Sequence, residues 1–143
     1  LPKTPGYWGA FWILCRGMGK GIPSAKAGVE IDIVESGECL RKGVNHAIHW
    51  GGYGENLRSM SKCFYEGSWY EGWHTYALEW TKTEYIFYID GEETWRTAEP
   101  EICEVPAYVK LTAEFGTWAG EIKPAELPDR VLVDWVRVYR EKE

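Results

Sequence analysis

The chain has 143 residues, a length that closes one ordinary core. Its net charge of -6 argues against a nucleic-acid backbone as partner, because such binding relies on Lys and Arg displacing counterions. No apolar run approaches the roughly 20 residues needed to cross a bilayer, and nothing at the start has the basic, apolar and cleavage regions of a signal peptide.

The chain opens on LPKTPGYWGAFWIL, without an initiator Met, and enters a strand almost at once, as a processed or truncated start would. Apolar alternation or β-rich runs then fall near 7–15, 29–35, 44–50, 58–65, 73–80, 84–90, 92–97, 105–115 and 130–139. Connectors bearing Gly and Pro, such as GMGKGIPSAKAG and GTWAGEIKPAELPD, divide them, and no helix is convincing. This spacing of short strands predicts an all-β sandwich or barrel. With no repeat, low-complexity tract or shift in composition, a single domain over 1–143 is expected. EYIFYIDGEETWRT predicts a hairpin turning at Asp90-Gly91, residue types that suit positive φ. Cys15, Cys39, Cys63 and Cys103 lie too far apart for a zinc or redox motif; they are either buried thiols or two disulfides of open connectivity.

The nine Trp, nine Tyr and four Phe are more rings than most cores need, so some are expected to face a ligand, and a neutral one suits the charge. VEIDIVES, residues 29–36, sets Glu30, Asp32 and Glu35 among β-branched residues. In a regular strand Glu30 and Asp32 share a face while Glu35 points away. Either a β-bulge around Val34 brings Glu35 back to the others, or Glu35 sits in a turn beside two acids on a solvated face.

GYWGAFWIL, GVEIDIVE, NHAIHWGGY, GWHTYALEW, EYIFYIDGEE and VLVDWVRVY follow one another in an order that resembles glycoside hydrolase family 16 over essentially the whole chain. The E-x-D-x-x-E spelling is similar to the bulged branch that includes laminarinases. The resemblance implies a concanavalin-like jelly-roll β-sandwich with a concave glycan-binding face. It implies an endo-acting hydrolase of internal β-1,3 or mixed β-1,3/1,4-glucan linkages that retains anomeric configuration and requires no cofactor for catalysis. A carbohydrate-binding, lectin-like sandwich and a transglycosylase are the alternatives. By match to the motif Glu30 is the nucleophile, Glu35 the acid/base, and Asp32 the group that orients Glu30 and tunes the pair.

The same resemblance makes Trp8, Trp12, His49 and Trp118 substrate-binding candidates. His49 has a partly buried strand histidine as its alternative, and His46 is expected on the opposite face. His74 is read as a hydrogen-bonded structural histidine or a substrate contact, and Glu114 as an exposed acid. Trp50 reaches the groove only if its strand twists, while Trp80, Trp95 and Trp135 are expected in the core. Asp134 resembles an aspartate that helps hold a structural calcium. Strands that the family carries before YWGAFW are not in this sequence, so the expectation is either a cleaved or truncated fragment, or a second chain or dimer completing the sandwich, or a shorter variant with exposed strand edges. Export, or association with the cell envelope, is inferred from the polymeric substrate.

Overall fold

Eight strands form two antiparallel sheets in the computed structural model, which describes residues 1–37, 43–65, 67–122 and 127–140. In chain order they are β1 (Tyr7–Cys15), β2 (Val29–Ser36), β3 (Val44–Trp50), β4 (Arg58–Phe64), β5 (Tyr76–Trp80), β6 (Tyr85–Ile89), β7 (Glu92–Thr97) and β8 (Ala107–Phe115). Five strands order as β4-β3-β2-β1-β8 and three as β5-β6-β7. Helical structure is confined to single 3-10 turns such as Met18–Lys20 and Ala25–Ala27. No helix among the described residues is long and apolar enough to cross a membrane.

Alternation along the strands decides which face meets the core. Ile13 of β1, Ile31 and Ile33 of β2 and Ile48 of β3 pack with Tyr85 and Phe87 of β6, so the two sheets close on one another as a sandwich. Each side chain buried in this way stabilises by about 1.5–3 kcal/mol. Trp80 and Trp95 pack on this cluster as expected, and so does Trp50, which places its ring on the core side of β3. The opposite face of the five-stranded sheet is left for the site.

The expected hairpin is present. Asp90 has φ 52° and Gly91 φ 84°, so both central residues of the turn between β6 and β7 are left-handed, the type I′ geometry that follows the twist of the flanking strands. The predicted run at 73–80 becomes a strand only from Tyr76, and the run at 105–115 only from Ala107, just past Pro106, which has no N–H to give a ladder.

The run at 130–139 departs from expectation. Among the described residues no strand pairs with 131–140, and Val138 is 81% exposed. Trp135, expected in the core, is 51% exposed and carries the Arg137 guanidinium 4.6 Å from its ring centroid. VLVDWVRVY has the β-branched and aromatic composition that favours extended backbone, but extended backbone becomes a sheet strand only when another strand supplies its hydrogen bonds. Tyr108, Val109, Leu111 and Phe115 on the outermost strand β8 are exposed as well. Cys39 lies outside the described residues; Cys15, Cys63 and Cys103 are free thiols.

Gly91→Ala places a Cβ at φ 84° in the I′ turn, and equilibrium urea unfolding is expected to show a loss of about 1 kcal/mol.

Candidate active site

The three acids share a face because β2 holds one residue more than its neighbours. Against β3, Asp32 pairs with Ala47 and Glu35 with Asn45, three steps on β2 for two on β3. Against β1, Asp32 pairs with Trp12 and Val34 with Phe11, two steps for one. The extra residue lies at Ile33–Val34, and both of these neighbours turn inward, at 4% and 2% exposure. That is the bulge the spacing called for.

His46 holds it. Its ring is fully buried on the core side of β3, stacked on Phe87 at 4.8 Å between centroids and edge-on to Phe64 at 5.3 Å. Nδ1 donates to the carbonyl of Ile33 at 2.6 Å, and Nε2 lies 2.9 Å from the hydroxyl of Thr94 on β7. One imidazole therefore joins the irregular backbone of β2 to the other sheet.

On the outer face the acids sit in cross-strand rows. Glu30 lies between His49 and Leu14, Asp32 between Ala47 and Trp12, and Glu35 between Asn45 and Ala10. Asp32 is 4% exposed and accepts from His49 Nε2 at 3.1 Å. The other nitrogen, Nδ1, is 2.6 Å from Ser59 Oγ on β4, so the ring is fixed at both ends. Burial works to lower the His49 pKa, but the hydrogen bond and charge of Asp32, with the charges of Glu30 and Glu35, outweigh it and raise it. Asp32 thus has a hydrogen-bonded imidazole partner, which compensates its burial.

Among the described residues Glu35 has no imidazole in hydrogen-bond contact. Burial first, and then the charge of Asp32, push its pKa up to about 7, against the opposing donation from Asn45 Nδ2 at 3.4 Å. Glu30 is raised too, by burial and the Asp32 charge, but the Tyr53 hydroxyl donates to it and His49 and Lys110 favour its anion. Two carboxyls on one strand thus have different support: the charge of His49 favours the anion of both, but Glu30 also has the Tyr53 hydroxyl and Lys110, and Glu35 a long amide contact.

Tyr53, Asn45 and Lys110 were not singled out by sequence. Tyr53 reaches Glu30 because Gly51 and Gly52, at φ 83° and 87°, turn the chain directly after β3. A Cβ on Gly52 would stand 2.4 Å from Gly21 Cα, so the turn also needs glycine for space. Lys110 places its ammonium 3.7 Å from the Trp12 ring centroid, and Trp12 Nε1 donates to Thr112 at 3.1 Å. The one available sequence signal was parity along β8, which aligns Lys110 and Thr112 with Trp12 and Ala10.

The structure brings Trp12 and His49 to the acids. Trp8 lies farther along the same face of β1, with Trp118 edge-on at 5.3 Å and 45% exposed. Glu114, opposite Trp8 in register, is exposed as expected. His74 is structural: Nδ1 contacts Asp90 at 2.7 Å and Nε2 the carbonyl of Glu71 at 2.9 Å, pinning the approach to β5 against the hairpin turn. Asp134 stands exposed on the unpaired segment. Among the described residues the one trio of acid and imidazole ligand atoms within 4.8 Å is Glu30, Asp32 and His49, so side chains alone do not build a calcium site at Asp134.

Comparison with known proteins places this arrangement in context. Residues 1–137 match the profile of Glycosyl hydrolases family 16. The chain is 28% identical over 160 aligned residues to glucan endo-1,3-beta-glucosidase A1 of Niallia circulans, covering 99% of this chain and 23% of that protein. It is 26% identical to a beta-glucanase of Rhodothermus marinus, covering 98% of this chain and 54% of that one. The laminarinase catalytic domain of Thermotoga maritima superposes with a TM-score of 0.67 at 25% identity, over 90% of this chain and 55% of that domain. The chain therefore spans about half the length, or less, of these relatives.

Glu35 and His46 give opposite pH signatures. Between pH 4.5 and about 7 the folded chain keeps Glu35 protonated while the unfolded chain ionises it, so stability falls as pH rises across that window. Glu35→Gln is expected to gain on the order of 2 kcal/mol in urea unfolding at pH 8 and nothing near pH 4. For His46 the unfolded chain binds the proton first. Stability is therefore lost as pH falls from 6.5 to about 4, and His46→Phe should remove that acid-side slope in unfolding measured across the same range.

Proposed function

Since the chain belongs to glycosyl hydrolases family 16, we propose that it carries the catalytic face of a retaining endo-β-glucan hydrolase, acting on internal β-1,3 or mixed β-1,3/1,4 linkages. The observation that carries this reading is the unequal support of Glu30 and Glu35 on one bulged strand. Retaining hydrolysis needs one carboxylate to attack and a second carboxyl, still protonated at neutral pH, to give up its proton.

In the first step Glu30 attacks the anomeric carbon, and Glu35 protonates the glycosidic oxygen as that bond breaks, leaving a glycosyl ester on Glu30. Glu35, now a carboxylate, takes a proton from water, which attacks the same carbon and releases Glu30. Asp32, hydrogen-bonded to His49, holds the row between them. Two features of the chain support these roles. The raised Glu35 pKa of about 7 keeps a proton available, and Tyr53, His49 and Lys110 favour Glu30 as an anion.

Trp12, and the pair Trp8 and Trp118, supply ring faces for the apolar C–H faces of pyranose units along the sheet. Relatives named as endo-1,3- and beta-glucanases support a glucan over other polymers. A polymeric substrate in turn supports action outside the cell or at its envelope.

Reducing-end release from laminarin, by a form of the protein active on it, is expected to fall at least 1,000-fold in Glu30→Gln and in Glu35→Gln, with glycan binding retained. The wild-type rate should decline as pH rises through about 7, where Glu35 loses its proton. Undiminished hydrolysis in either variant would refute the assignment.

A further inference from the structure

Away from the acidic face, two thiols meet inside the sandwich. Cys15 ends β1, and Cys103 lies in the connection that carries the chain from β7 in one sheet to β8 in the other. Their sulfurs are 3.4 Å apart, across 88 positions of sequence, and the residues are 0% and 4% exposed. The pair is held from several sides: Cys103 N–H donates to the Tyr85 hydroxyl at 2.7 Å, and both sulfurs lie 3.6–3.7 Å from the Val105 carbonyl.

We infer that Cys15 and Cys103 are a disulfide-forming pair, oxidised by exchange with a low-molecular-weight disulfide. From the observed contact to a bonded separation of about 2.05 Å the sulfurs must close by roughly 1.4 Å, a movement within reach of side-chain rotation. An open groove of about 880 Å³ has Lys26, Trp80, Lys82, Glu101 and Cys103 among its lining residues, and Cys15 is not one of them.

The order of events follows from that asymmetry. The Cys15 thiol hydrogen-bonds to Cys103 and draws the Cys103 pKa down to about 7, while Cys15 itself is raised. Cys103 thiolate attacks one sulfur of the incoming disulfide and expels a thiolate, which takes up a proton. Cys15 then loses its proton and attacks the Cys103 sulfur of the mixed disulfide, expelling the second thiolate. Two protein thiols become one disulfide, and the reagent disulfide, accepting two electrons and two protons, becomes two thiols.

The bond would tie the crossover between sheets to the end of β1, next to Leu14, the cross-strand partner of Glu30. It closes a long loop in the unfolded chain, so oxidation is expected to raise Tm by about 5–15 °C. None of this depends on the proposed hydrolase activity.

The test is a peptide map of the full chain after equilibration with oxidised glutathione, acid quench and alkylation in denaturant. The expected result is a loss of about 2 Da for the bridge, one linked pair of peptides carrying Cys15 and Cys103, and alkylated Cys39 and Cys63. Cys15→Ala and Cys103→Ala should each abolish the link and the reagent-dependent rise in Tm. Alkylation of both Cys15 and Cys103 after oxidation, or a linkage of either to Cys39 or Cys63, would overturn the inference, and the wild-type map alone decides it if a variant does not fold.

Discussion

An added residue in a β-ladder leaves backbone groups off register, and a buried carbonyl without a partner is costly. At Ile33 that demand is met from the side, by the imidazole of His46 reaching across from β3. The contact decides where Glu35 points. Without it β2 would gain by returning to regular pairing, and regular pairing sends the last of the three acids to the other face. The acidic face therefore rests on a hydrogen bond made on the far side of the sheet.

The electrostatics on the outer face follow from what each acid was given. Asp32 is the most buried and has the imidazole of His49, itself tethered to Ser59. Glu30 has a phenol hydroxyl, with the His49 imidazole and the Lys110 ammonium nearby. Glu35 has an amide at long range, and the Oδ1 of that same Asn45 is buried with no partner among the described residues. A site that keeps a carboxyl protonated in this way gives up stability at neutral pH to do so, the usual relation between function and marginal stability.

The strand pattern was legible because alternation is a local property, and it placed all eight strands to within about three residues at each end. The bulge was legible for the same reason, since the parity of Glu30, Asp32 and Glu35 left only two outcomes. The face of His46 was read from parity, but its role was not, because its partners are a carbonyl thirteen residues back and a hydroxyl on another sheet. Tyr53 and Asn45 were equally hidden: one depends on a double-glycine turn, the other on register across a bulge. At 131–140 composition misled, since it reports a preference for extended backbone and says nothing of whether a neighbouring strand is there to pair with.

The acids and His49 fall between residues 30 and 49, on adjacent antiparallel strands that can find each other early. Thr94 and Phe87 come later in the chain and from the opposite layer. During refolding, then, neighbouring strands could zip together while the carboxylates were still misaimed, and the working arrangement of charges would appear only in the final step, when the second layer settles onto the imidazole.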